Sequence, residues 1–163
     1  MIRMEDLMVG NFAFGVLNGE RKCFSVTDIV THEPSPTRMI FSEDEEISPF
    51  GVMASEGAIE GIPVTVDMLK RMGFEEYEDL PLEGKFYRYW DKEHKYKLDV
   101  CDIYTNSDRR WHVHIDNDVC NTIGSGEFDY IHELQNLTRI ITGYDLPITK
   151  EMLYGVGNDA KKR

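Results

Sequence analysis

Asp129-Tyr-Ile-His-Glu-Leu-Gln-Asn-Leu-Thr-Arg-Ile-Ile-Thr-Gly-Tyr-Asp-Leu146 carries the clearest periodic signal in the chain. Tyr130, Leu134, Leu137 and Ile141 recur at the spacing that puts side chains on one side of an α-helix, and Ile131 and Ile140 widen that stripe. Asp129 is placed to cap the start, where a carboxylate accepts an unpaired backbone N–H and meets the positive end of the helix dipole. Gly143 is placed to end it, since a left-handed residue past the last turn is cheapest as glycine. The spacing therefore predicts a long helix over residues 129–142, and a helix with one apolar stripe needs an apolar surface to cover.

That surface is legible just upstream. Arg110 to Asp116 alternates, with Trp111, Val113 and Ile115 facing one way and His112, His114 and Asp116 the other. Tyr96, Leu98 and Val100 alternate with Lys97, Asp99 and Cys101, and Phe86 to Trp90 is aromatic and β-prone. Asp91 to His94, Asn106-Ser107-Asp108 and Asn117-Asp118 read as turns, and Val119 to Ile123 as a last short strand. Gly124-Ser-Gly126 reads as a tight turn leading into the helix. It lacks the third glycine and the lysine of phosphate-binding loops, and Glu127 and Asp129 would repel an anion there. The result is an antiparallel meander with the helix laid across its apolar face.

The N-terminal part differs in texture. Phe12, Phe14 and Val16 alternate, Asn18-Gly19 is a hairpin dipeptide, and Phe24, Val26, Ile29 and Val30 carry a second strand. A short apolar patch, Met39 to Phe41, precedes the acidic run Glu43-Asp44-Glu45-Glu46, and short strands are expected near Val52-Met53 and Ala58-Ile59. Thr65 is set to cap a helix from Val66 to Met72, and Gly73 to stop it. Ile62-Pro-Val-Thr-Val-Asp-Met-Leu aligns with Leu146-Pro-Ile-Thr-Lys-Glu-Met-Leu, which reads as a reused helix-start device rather than a repeat. The expected architecture is α+β. A small N-terminal SH3-like β-barrel module spans residues 1–61, an antiparallel sheet under the long C-terminal helix spans 62–154, and a flexible tail spans 155–163.

Three blocks also carry a resemblance: Glu5-Asp-Leu-Met-Val-Gly-Asn-Phe12, Ile62-Pro-Val-Thr-Val-Asp-Met-Leu-Lys-Arg-Met-Gly-Phe74, and Tyr130-Ile-His-Glu-Leu-Gln-Asn-Leu137 with Thr142-Gly143. In them the chain resembles a family of small proteins frequent in Bacteroidetes genomes and in their phages and mobile elements. There the middle block reads Ile-Pro-Leu-Thr with a later Gly-Phe, and the last Tyr-Val-His-Glu-Leu-Gln-Asn-Leu. The resemblance implies a setting in a mobile element or its bacterial host. It implies no reaction, ligand or catalytic residue.

Composition narrows the functional classes. With 30 acidic against 18 basic residues and a net charge of −12, nonspecific binding to nucleic acid or to anionic membranes would oppose the protein's own field, whereas basic protein partners would suit it. Three cysteines without a Cys-x-x-Cys pair fit free thiols in a reducing, cytoplasmic compartment. The start lacks the long apolar run of a signal peptide.

Two groups of residues are candidate sites. His112-x-His114-x-Asp116 projects two imidazoles and a carboxylate from one strand face, an arrangement usable for a divalent metal such as zinc; the competing reading is the solvent face of a sheet. His132, Gln135, Asn136 and Arg139 line one stripe of the helix, available to a partner or simply exposed. No nucleophile with a neighbouring base stands out. The sequence thus favours a non-enzymatic accessory or interaction protein with no cofactor. The alternative is a metal-dependent hydrolase using His112, His114 and Asp116.

Overall fold

A computed structural model describes residues 6–17, 20–31, 38–41, 59–78, 85–104, 109–119 and 121–153. The expected Asn18-Gly19 and Asn106-Ser107-Asp108 turns, the acidic run from Glu43, the strand near Val52-Met53, Cys120 and the tail 155–163 lie outside them. The chain divides into two compact units, Met1–Pro63 with Thr149–Arg163, and Val64–Ile148.

In the first unit, β1 (Phe12–Leu17) pairs antiparallel with β2 (Glu20–Ser25), Leu17 standing opposite Glu20. The second strand expected to run on through Ile29 and Val30 is two strands. It breaks at Val26, which bonds back to the start of β1, its N–H donating to the Asn11 carbonyl (2.8 Å) and its own carbonyl accepting from Gly10 (2.6 Å). Beyond it, β3 (Asp28–Thr31) forms a separate ladder with β4 (Arg38–Phe41), and β5 (Ile59–Glu60) adds to the other edge of β1. Among the described residues these strands make a three-stranded sheet, β2-β1-β5, and a two-stranded ladder, and the expected closed barrel is not seen. Ala13, Phe14, Phe24, Ile59 and Ile62 are buried, so both faces of β1 are covered.

The second unit opens with α1 (Val66–Arg71). Thr65 Oγ1 accepts the Met68 N–H at 3.3 Å, and Gly73 follows the helix with φ +89°, so both expected signals act as read. β6 (Glu75–Tyr77), β7 (Phe86–Asp91), β8 (Tyr96–Tyr104), β9 (Arg109–Asn117) and β10 (Thr122–Phe128) then form one antiparallel meander, in the order β10-β9-β8-β7-β6. Nothing local predicts β6, because Glu-Glu-Tyr has no apolar alternation to reveal it. The sheet is followed by α2 (Ile131–Thr142), whose 12 residues make it shorter than the long helix expected over 129–142. Gly143 ends it in the left-handed conformation, φ +78°. α3 (Lys150–Leu153) starts directly after Thr149 as α1 does after Thr65; it packs beside β2 and so belongs to the first unit, not to a module running to residue 154.

Two details fix how α2 meets the sheet. Gly124-Ser-Gly126 is not a turn but the middle of β10, with Gly124 opposite Ile115 and Gly126 opposite Val113. A Cβ built on Gly124 would lie 2.6 Å from Ile141, and one on Gly126 2.8 Å from Leu137. The glycines form a trough into which the apolar stripe of α2 settles, a close approach that any side chain would block. The second detail is a bulge between Thr122 and Gly124: the extra residue, Ile123, is exposed, while Thr122 stands opposite Asp116. Val119 lies in the preceding turn rather than in the strand.

The helix start also differs from expectation. Tyr130 is the N-cap, and the carboxylate that caps is Glu133, whose Oε2 accepts the N–H groups of Asp129 (2.7 Å) and Tyr130 (3.1 Å). Asp129 contributes backbone instead, its carbonyl accepting the Val64 N–H at 3.0 Å, which ties the entrance of α1 to that of α2. Trp111 reinforces the tie by donating its Nε1–H to the Val64 carbonyl (3.3 Å). The core of this unit is the helix-covered face, Tyr87, Leu98, Val100, Trp111, Val113, Ile115 and Phe128, under Met68, Leu69, Ile131 and Leu134.

Candidate functional site

The second face of the same sheet gathers the polar chemistry. Because side chains alternate along strands and directly opposed residues share a face, the register arranges this face in cross-strand rows. One runs Glu75, Arg88, Asp99, His114, Ser125; a second Tyr77, Phe86, Cys101, His112, Glu127; a third Trp90, Lys97, Asp116, Thr122. His112, His114 and Asp116 do lie on one face, as their spacing predicted.

The structure nevertheless does not bring the three together as a ligand set. Asp116 Oδ1 accepts the Thr122 hydroxyl at 2.8 Å and Oδ2 lies 3.7 Å from Lys97 Nζ, a lysine almost fully buried. Asp99 is held by Arg88 in a bidentate pair, with Nε to Oδ1 at 2.6 Å and Nη2 to Oδ2 at 2.8 Å. The Arg88 guanidinium also lies 4.2 Å from the centre of the Tyr77 ring. Glu127 meets Arg110 at 3.5 Å near the exposed edge. Among the described residues no group of three or more histidines, cysteines or carboxylates is arranged to hold a metal ion.

The two histidines are a different matter. Their ring centres are 4.5 Å apart with planes inclined by 60°. His114 is exposed; His112 is half-buried, and its Nδ1 is sealed from solvent without a hydrogen bond. Burial first, and then the neighbouring His114, push the His112 pKa below its ordinary value of 6.5. Cys101 stands opposite His112, but burial, then Asp102 and Asp99, push its thiol pKa up, so it is a poor thiolate.

The helix candidates divide. His132 and Gln135 are 1% and 7% exposed and belong to the packed side of α2, while Asn136 is half-buried and Arg139 pairs with Asp145 beyond the helix end. Ile140, expected to widen the apolar stripe, is 68% exposed. The aromatic run from Phe86 is mostly inside: Tyr87 is buried, Phe86 and Tyr89 half-buried, and Trp90 exposed.

Sequence reasoning missed a second cluster at the β7–β8 turn. Asp91 Oδ1 accepts the N–H groups of Glu93 (3.0 Å) and His94 (2.9 Å), and its Oδ2 lies 3.1 Å from His94 Nδ1. The His94 ring stacks on Tyr144, centres 3.9 Å apart. Asp91 thus closes the turn, with Lys95 left-handed at φ 59°, and holds His94 over the residue that leaves α2. Its signal was present as an aspartate two and three residues before the N–H groups it bonds. The stacking on Tyr144, fifty residues away in sequence, had no local signal.

No protein-family model, curated protein or solved structure matches the chain. None of its helices among the described residues is long and apolar enough to cross a membrane.

Proposed function

We propose that this chain is a non-enzymatic accessory or protein-interaction protein of a mobile element or its bacterial host. The observation that favours this reading is the commitment of charge on the polar sheet face. Arg88 is spent on Asp99, Lys97 and Thr122 on Asp116, and Arg110 on Glu127. Groups so paired make a rigid, patterned surface, and they are poorly placed to take up and release protons during a reaction cycle. Trp90, 40% exposed at the margin of that face, adds a large amphipathic contact of the kind that anchors interfaces. The net charge of −12 supports a partner that is a basic protein rather than nucleic acid or an anionic membrane. Cys23 and Cys101, both free thiols, are consistent with a cytoplasmic setting. In this reading residues 1–61 close as an SH3-like barrel, an extension supported by five short strands in a three-stranded sheet and a two-stranded ladder.

The test is capture from native lysate with the untagged chain immobilised through its C-terminus, beside a Trp90→Ala variant. A basic protein retained by the parent chain, released by salt and lost with Trp90→Ala supports the reading. A chain that retains nothing at any ionic strength, or that retains the same proteins without Trp90, overturns it.

A further inference from the structure

The geometry points to a two-imidazole binding site for a borderline-soft divalent cation, such as zinc or nickel, formed by His112 and His114 on β9. Alternation places both rings on one face, and their centres, 4.5 Å apart, are close enough for one nitrogen of each to reach a common ion at the ~2.0–2.1 Å of a metal–imidazole bond. His112 Nδ1 is a buried polar atom without a hydrogen bond, a position that costs free energy unless something accepts its lone pair or receives its proton. His114 is exposed and gives the ion a way in.

The neighbours limit the site to these two donors. Asp99, opposite His114, is held at both oxygens by Arg88, and Asp116 is held by Thr122 and Lys97. Glu127, opposite His112 on β10, is engaged by Arg110 at 3.5 Å. Water fills the remaining positions. Such a site exchanges its ion readily and differs from a closed four-ligand structural centre or a three-ligand catalytic one. Imidazole ligands select zinc, nickel and copper over magnesium and calcium. The site requires no catalysis and is independent of the partner reading above.

The experiment is calorimetric titration of the full-length, untagged chain with zinc chloride. One equivalent is expected to bind with a dissociation constant on the order of 10 μM. His112→Gln and His114→Gln are each expected to weaken it at least about tenfold, and Asp116→Asn to leave it unchanged within about twofold. Because a variant could lose its fold, substoichiometric nickel is also added to the unaltered chain. The imidazole proton resonances of His112 and His114 are expected to broaden before those of His94 and His132. Absence of saturable uptake below about 1 mM, uptake that survives either histidine substitution in a folded variant, or broadening of His94 or His132 first overturns the assignment.

Discussion

Ile141 occupies the space that a side chain at Gly124 would need: its Cδ1, Cγ2 and Cγ1 atoms lie 2.6, 2.8 and 2.9 Å from an ideal Cβ on that glycine. Since the near atoms include both γ carbons of a stiff β-branched side chain, a methyl group there has to push the helix away from the sheet. Gly124→Ala is expected to destabilise the chain by about 1–3 kcal/mol in urea unfolding. Gly126→Ala, which meets mainly the flexible end of Leu137, costs less, and Ile141→Ala restores part of the loss at Gly124. Equal costs at the two glycines, or no rescue, would show that the trough is not what seats α2.

Glu133 takes the capping role that the sequence suggests for Asp129. Glu133→Ala removes the acceptor of two backbone N–H groups at the helix start and is expected to cost about 0.5–2 kcal/mol. Asp129→Ala keeps the carbonyl bonded to Val64 and should stay within about 0.5 kcal/mol. Thermal unfolding of both variants decides it, and a larger loss at Asp129 would restore the original assignment.

His132 belongs to the scaffold. At 1% exposure, its replacement by alanine leaves a cavity and disturbs a packed polar group, for an expected loss of roughly 1–3 kcal/mol. Ile140→Ser, two turns and more away and open to solvent, changes stability by no more than about 0.5 kcal/mol. Denaturant midpoints that rank the two the other way round would return His132 to the list of contact residues.

The His112 and His114 pair makes stability depend on pH in a definite direction. The folded-state pKa of His112 lies below the ordinary 6.5, so the folded chain binds fewer protons there than the unfolded one. The stability this provides is complete above about pH 6.5 and is lost as the pH falls through the folded-state value. The titratable and charged groups sharing its face on its own strand and the two strands beside it are His114, Asp116 and Arg110 on β9, Cys101, Asp99 and Lys97 on β8, and Glu127 on β10. Of these, Glu127 alone raises the His112 pKa, as the smallest of the three influences. Melting temperatures measured between about pH 7.5 and 5 should fall less steeply for His112→Gln than for the parent chain; parallel curves would rule the effect out.

Much of the second unit was legible because its signals are local. Trp111, Val113 and Ile115 announce a half-buried strand by alternation, and Thr65, Gly73 and Gly143 act within one turn of their own positions. What could not be read depends on distant partners. Gly124-Ser-Gly126 carries the composition of a turn, and only Leu137 and Ile141 settling above it make it a strand. The polar row on α2 reads as a surface because histidine and glutamine are polar; in the fold His132 and Gln135 are buried and Ile140 is left outside. At the histidine face the alternation was visible, while the pairing of Asp116 with Lys97 and Thr122, which removes it from any ligand set, follows from register across three strands.

The bulge at Ile123 bears on how this protein can vary in length. Elsewhere in the sheet, insertion or loss of one residue would turn every following side chain to the wrong face. At Ile123 the strand already holds one residue more than its ladder uses. Its deletion would leave Thr122 opposite Asp116 and Gly124 opposite Ile115, as they stand now. A one-residue gap among natural variants is therefore expected at this hairpin before any other point between β8 and α2.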